Sequence, residues 1–196
     1  ALFAADLISV QPVTRNILVL TFDEGHMDYH GEGEDRYDGK IYYELLDTEK
    51  ATELGRYSIS SEKDANYSSA QQPLALGRKA RGMDFYHIYH QTHPGYLLYH
   101  WIYLELEHPL QNGETYTVQL DEIAGNTNTH TFVYDYKTMR SPVVHVNQIG
   151  FVPEAPKYAY LSQFMGDFSH GDHVDGALNL ADFEGKPFEV IDAETH

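Results

Sequence analysis

The sequence predicts an all-β protein made of two tandem β-sandwich modules. Three observations carry this. Apolar and β-branched runs of five to eleven residues recur along the chain, and turn signals rich in Gly, Pro, Asn and Asp separate them. No window longer than ten residues keeps a clean 3.6-residue period, so amphipathic helices have no clear place.

The elements follow in order. "DLISVQ" (6–11) and "NILVLTFD" (16–23) read as strands on either side of a Pro12–Asn16 turn region. "KIYYELL" (40–46) and "RYSIS" (56–60) read the same way, and the longest run is "YLLYHWIYLEL" (96–106), after a His93–Pro94–Gly95 break. "ETYTVQL" (114–120) and "THTFVYDY" (129–136) alternate along the strand, as half-buried strands do. Two stretches, 23–39 and 61–83, exceed the usual loop length and read as long irregular loops.

In "PLQNGETYTVQL", Leu110, Gly113 and Tyr116 stand three residues apart just before an alternating strand. This is the spacing of a tyrosine corner, in which a Tyr at the start of the penultimate strand bonds back to the preceding connection. The fold class is therefore read as a sandwich of immunoglobulin-like or fibronectin-III-like type spanning 1–139. "KTMRSP" (137–142) is a short polar linker, and a new strand begins at Val143, opening a second module over 143–196 that is truncated.

Thirty acidic residues against thirteen Lys and Arg give a formal net charge of −17. That field repels nucleic acid and anionic membrane surfaces, so neither is an expected partner. Without cysteine there is no disulfide framework and no thiolate metal site. Lack of cysteine fits a cytosolic protein and a bacterial secreted one equally. No apolar run reaches eighteen residues, so no membrane span is expected. The opening "ALFAAD" reads equally as the tail of a cleaved secretory signal or as an apolar terminus lying on a sheet.

The stretch "HVNQIGFVPEAPKYAYLS" carries a resemblance. Val146, Asn147, Gln148, Gly150, Phe151, Pro153, Pro156 and Lys157, followed by the strand Tyr158–Ser162, resemble the start of the N-terminal immunoglobulin-like module that precedes the catalytic barrel in many family 9 glycoside hydrolases, the cellulase-type enzymes. "FEGKPFEVIDAET" (183–195) is similar to that module's next hairpin, and the match covers about residues 143–196. The segment 163–176 is longer than the usual connection, and neither the returning strands nor a barrel with its carboxylates lies within the sequence. The resemblance implies a module that packs against a downstream catalytic domain of the same polypeptide and supports it. It also implies an extracellular or cell-surface location.

Tyr99, Trp101 and Tyr103 share one strand face at period two and would form a carbohydrate platform if exposed, because flat rings stack on the apolar C–H faces of sugars. A lone tryptophan in a sandwich is more often core. The acidic loop 23–39 could offer Asp23, Glu32, Glu34, Asp35 and Asp38 to Ca²⁺, although its spacing fits no standard calcium loop and a solvated acidic loop is the better reading. His87, His90 and His93 cannot share one face of an extended strand. His170, Asp172, His173 and Asp175 form the better metal candidate. No catalytic motif is recognisable, so no cofactor is expected beyond a Ca²⁺ ion at such a loop.

The function expected is thus a non-catalytic accessory region of a family 9-like glycoside hydrolase, with a polysaccharide as a further partner. The alternative is a structural cell-surface or filament subunit built from Ig-like modules, with no catalysis; in either case an open strand edge at 183–196 is expected to self-associate or to be covered by further polypeptide. The span 187–191 is read as a strand.

Overall fold

The computed structural model describes residues 4–29, 39–86, 95–147 and 149–189. Four strands form one antiparallel sheet: β1 (Asp6–Thr14), β2 (Ile17–Asp23), β6 (Ala75–Tyr86) and β7 (Gly95–Glu105), in the order β1-β2-β7-β6. A second sheet has the order β5-β8-β9, from Tyr57–Ser60, Thr115–Leu120 and Thr129–Val133. A hairpin of β3 (Gly25–Tyr29) and β4 (Gly39–Tyr43) is inserted between β2 and β5, followed by the one-turn helix α1 (Thr48–Ala51). With that insertion set aside, the two strand orders are those of a constant-type immunoglobulin sandwich, four strands over three.

The core explains the sequence pattern. Leu18, Leu20 and Phe22 of β2 and Ile102 and Leu104 of β7 meet Tyr57 and Ile59 of β5 and Tyr116, Val118 and Leu120 of β8 in one buried cluster. β8 alternates because its other face is solvated, with Thr117 and Gln119 outward. β2 does not alternate, because its opposite face is covered too. There Val13, Ile17, Val19 and Tyr103 pack against Val143, Met165, Phe168 and Leu178. A continuous apolar run is what a strand buried on both sides requires.

The chain beyond residue 140 is therefore tied to the sandwich. Ser141 Oγ donates to the Val13 carbonyl at 2.6 Å, and Val143 is 3% exposed. The polar stretch 137–142 is anchored at its end to β1. Farther on, β10 (Val144–Val146) and β11 (Ala159–Leu161) pair as a short antiparallel ribbon, exposed at every residue.

Several expected boundaries move. The hairpin between β1 and β2 turns at Thr14–Ile17, and Pro12 lies inside β1 beside a register shift, where a strand lacking one N–H is tolerated. The expected loop 61–83 holds an edge strand over its second half, β6, paired along its length with β7. The expected loop 23–39 holds β3. Residues 184–189 form no strand, and residues 190–196 lie outside the described residues. A 3₁₀ turn at Ala181–Phe183 precedes them.

Candidate functional site

The outer face of β6 and β7 is the most chemically distinctive surface. Antiparallel register sets Gly77 beside Tyr103, Lys79 beside Trp101 and Arg81 beside Tyr99. Residues of one parity point outward together, so three rings and two cations share this face. Trp101 and Tyr99 are half-buried, and their ring centroids lie 6.3 Å apart at 74°. Lys79 Nζ stands 5.5 Å from the Trp101 ring and 5.2 Å from that of Tyr103, and the Arg81 guanidinium 5.7 Å from Trp101, all cation–π distances.

Tyr103 is not part of the exposed surface. It is 1% exposed beneath the 163–180 segment, and its hydroxyl accepts a hydrogen bond from Gln163 Nε2 at 2.8 Å. Burial pushes its pKa up to about 12, opposed by the Gln163 bond. The predicted three-ring platform is thus reduced to Tyr99 and Trp101, with the cover over Tyr103 as one wall.

The wall is seated by close backbone approach. Phe168 lies directly on Gly77, and Gly166, at φ +73°, lies against the Arg78 carbonyl, where a Cβ would collide. Asp167 N donates to that carbonyl at 3.2 Å, and the Asp167 carboxylate accepts from Arg78 N. Lys79 Nζ donates to the Phe164 carbonyl at 2.8 Å. These contacts also cover part of the free edge of β6.

The metal candidates do not converge. His170 Nδ1 bonds Glu105 Oε2 at 2.7 Å, whereas His173 Nδ1 accepts from Asn179 N at 2.8 Å and its ring packs edge-on to Phe168. Asp172 and Asp175 are exposed, and Asp175 turns the chain at φ +52°. Among the described residues no three His, Asp or Glu side chains are grouped to hold a metal ion. Asp35, Asp38, Glu32, Glu34, His87, His90 and His93 lie outside the described residues.

One cluster went unread in the sequence. Glu24, assigned to a solvated acidic loop, is 4% exposed, and His100 is 1% exposed. Glu24 Oε1 accepts from His100 Nε2 at 2.9 Å and from Leu46 N at 3.2 Å, and Oε2 accepts from Leu98 N at 3.0 Å. Arg78 Nη1 lies 3.0 Å from His100 Nδ1. Arginine only donates, so Nδ1 accepts and Nε2 carries the proton; His100 is the neutral Nε2–H tautomer. Burial raises the Glu24 pKa, yet the His100 and backbone bonds outweigh it and the net shift is downward. Parity reveals the pair: Glu24 continues the inward series Leu18, Leu20, Phe22, and His100 continues Leu104, Ile102. Their chemistry is that of a satisfied polar plug at one end of the core.

At the other end, a groove of about 720 Å³ runs between the β1–β2 turn and the ribbon, lined by Val13, Tyr134, Met139, Val143, Leu161 and Phe183 among others. Among the described residues no helix is long and apolar enough to cross a membrane. Comparisons with protein-family models, with characterised proteins and with solved structures find no match to this chain.

Proposed function

We propose that the chain is the non-catalytic N-terminal accessory region of a secreted or surface family 9-like glycoside hydrolase. In this reading the ribbon packs against the catalytic barrel of the same polypeptide, and the outer face of β6–β7 contacts glycan.

The observation that carries this reading is how the motif residues behave. Asn147 closes its own turn, accepting from Ile149 N at 3.0 Å and donating to the Gly150 carbonyl at 2.9 Å, while Gly150 sits at φ +114°. Lys157 Nζ caps the carbonyls of Pro153 and Ala155 at 2.8 and 3.2 Å. Asn147 and Lys157 thus satisfy their polar groups within the motif, whose Gln148 lies outside the described residues, and its apolar side chains stay outward. Val146, Phe151, Tyr158 and Tyr160 are 40–70% exposed and line a concavity of about 490 Å³. An exposed concavity lined by apolar side chains in this way marks an interaction site.

Two measurements test it. Incubated with soluble β-glucan or carboxymethyl cellulose, the 196-residue chain should release no reducing ends; turnover would overturn the non-catalytic reading. The reading frame past His196 should encode a helical barrel with acidic motifs. A frame without one would favour the structural surface subunit instead.

A further inference from the structure

We propose that the Tyr99–Trp101 face binds a sparsely anionic glycan, a neutral sugar chain bearing isolated uronate groups, with the rings taking a pyranose and Lys79 and Arg81 taking its carboxylate. The proposal deepens the glycan-contact part of the function above and rests on it.

The rings and the cations stand on one face. Lys50 pairs with Glu122, and Arg56 with Glu53 and Asp121, but neither Lys79 nor Arg81 enters an ion pair among the described residues. Lys79 spends one N–H on a carbonyl, and Arg81 Nη2 meets only the Met83 thioether, a weak acceptor, at 2.9 Å. Two adjacent cations on one outer face make a local positive patch in a chain with thirty acids and thirteen Lys and Arg. Asp23, the acid on the neighbouring strand, accepts from Gly25 N at 2.8 Å and hydrogen-bonds Tyr99. Burial also holds the Lys79 pKa below its ordinary value, which an incoming carboxylate would reverse.

The ligand's charge density follows from the rest of the molecule. A net charge of −17 repels a dense polyanion, whereas a neutral chain with isolated carboxylates meets that field only where two cations offset it. The wall over Tyr103 leaves Tyr99 and Trp101, whose rings stand at 74° to each other, so stacking takes a single sugar.

Affinity electrophoresis of the full chain tests this, with glucuronate-substituted xylan, the same polymer after carboxyl reduction, and polygalacturonate as probes. We expect the substituted xylan to be bound about three- to tenfold more tightly than its reduced form, a preference fitting charge-assisted contacts at a half-exposed site. That preference should disappear at roughly 1 M salt, where screening is within a few ångströms. Lys79→Gln with Arg81→Gln should abolish the preference and keep the weaker neutral binding; Trp101→Ala should lose both. Equal binding of the two xylans would overturn the anion proposal while leaving glycan contact standing. Tighter binding of polygalacturonate would overturn the sparse-charge part. No binding to any probe, by a chain whose circular dichroism shows it folded, would overturn both this proposal and the glycan-contact reading. Arg81→Gln alone, at an exposed position, guards against loss of fold in the double variant and should lower the preference by itself.

Discussion

The Tyr116 hydroxyl donates to Asp64 Oδ2 at 2.6 Å while accepting from Gln111 N at 2.8 Å, and both side chains are fully buried. The second of these is the tyrosine corner that the spacing predicts; the first joins it to the loop before β6. Asp64 Oδ1 takes Asn66 N at 3.0 Å and Gln111 Nε2 at 2.9 Å, so one carboxylate clamps residues 64–67 to the connection before β8. Tyr116→Phe leaves a buried carboxylate oxygen and a backbone N–H without partners. It should therefore cost about 2–3 kcal/mol, as bonds to charged groups do. Urea denaturation of the two proteins checks this, and an unchanged midpoint would contradict it.

The corner was legible because it is local: Leu110, Gly113 and Tyr116 lie within seven residues. Its carboxylate was not, since Asp64 is 52 residues away. β2 and β7 were legible from apolar runs that burial on both faces demands. β6 was not, because "ALGRKARGMDFY" neither alternates nor concentrates apolar residues. Backbone pairing with β7 holds it, and its exposed residues are free to be charged. The Tyr99–Trp101 face was half legible. Parity put three rings together, but the cover over Tyr103 comes from 163–180, a stretch with no periodic signal at all.

Glu24 makes stability pH-dependent at the acid end. Its folded pKa is depressed below the ordinary carboxylate value, so its contribution is present above that value and is lost as pH falls through the folded pKa. Glu24→Gln should flatten the loss of stability below about pH 4.5, since its amide does not titrate. Glu24→Ala strands His100 Nε2–H, Leu46 N and Leu98 N and should cost about 3–5 kcal/mol at neutral pH. Urea midpoints at pH 7 and 3.5 separate the two effects. If wild type and Glu24→Gln show the same acid slope, Glu24 does not carry it.

At the alkaline end the buried phenols act in the opposite sense. Burial raises the Tyr67 pKa to about 12, and Tyr57 and Tyr116 are raised further for the same leading reason. A raised folded pKa means stabilisation that is whole below the unfolded value of about 10 and lost as pH climbs towards the folded value. Stability should therefore fall between about pH 10 and 12. Tyrosinate absorbance should rise in two stages, exposed rings first and buried ones only with unfolding. A single transition near pH 10 with the fold intact would contradict the burial of these hydroxyls.

The seat of the 163–180 segment on the sheet can be tested without touching the sandwich core. A Cβ at Gly77 would overlap that of Phe168 and come within 2.6 Å of its Cα, so Gly77→Ala must push the segment outward. The cost, about 1–3 kcal/mol as for overpacking, falls on the cover, because the inward-facing cluster of Leu18, Ile102 and Val118 does not include Gly77. The displaced segment should become the first site of proteolysis, with faster amide exchange at Met165 and Leu178, which bond Gly176 and Gln163 at 2.7 and 2.9 Å in the closed arrangement. Tyr103 then loses its roof, and its hydroxyl should titrate nearer 10 than 12. The far-ultraviolet circular dichroism should change little. If cleavage moves instead into 96–120, the cover and the sandwich unfold as one unit, and the segment is part of the core rather than a lid over one face.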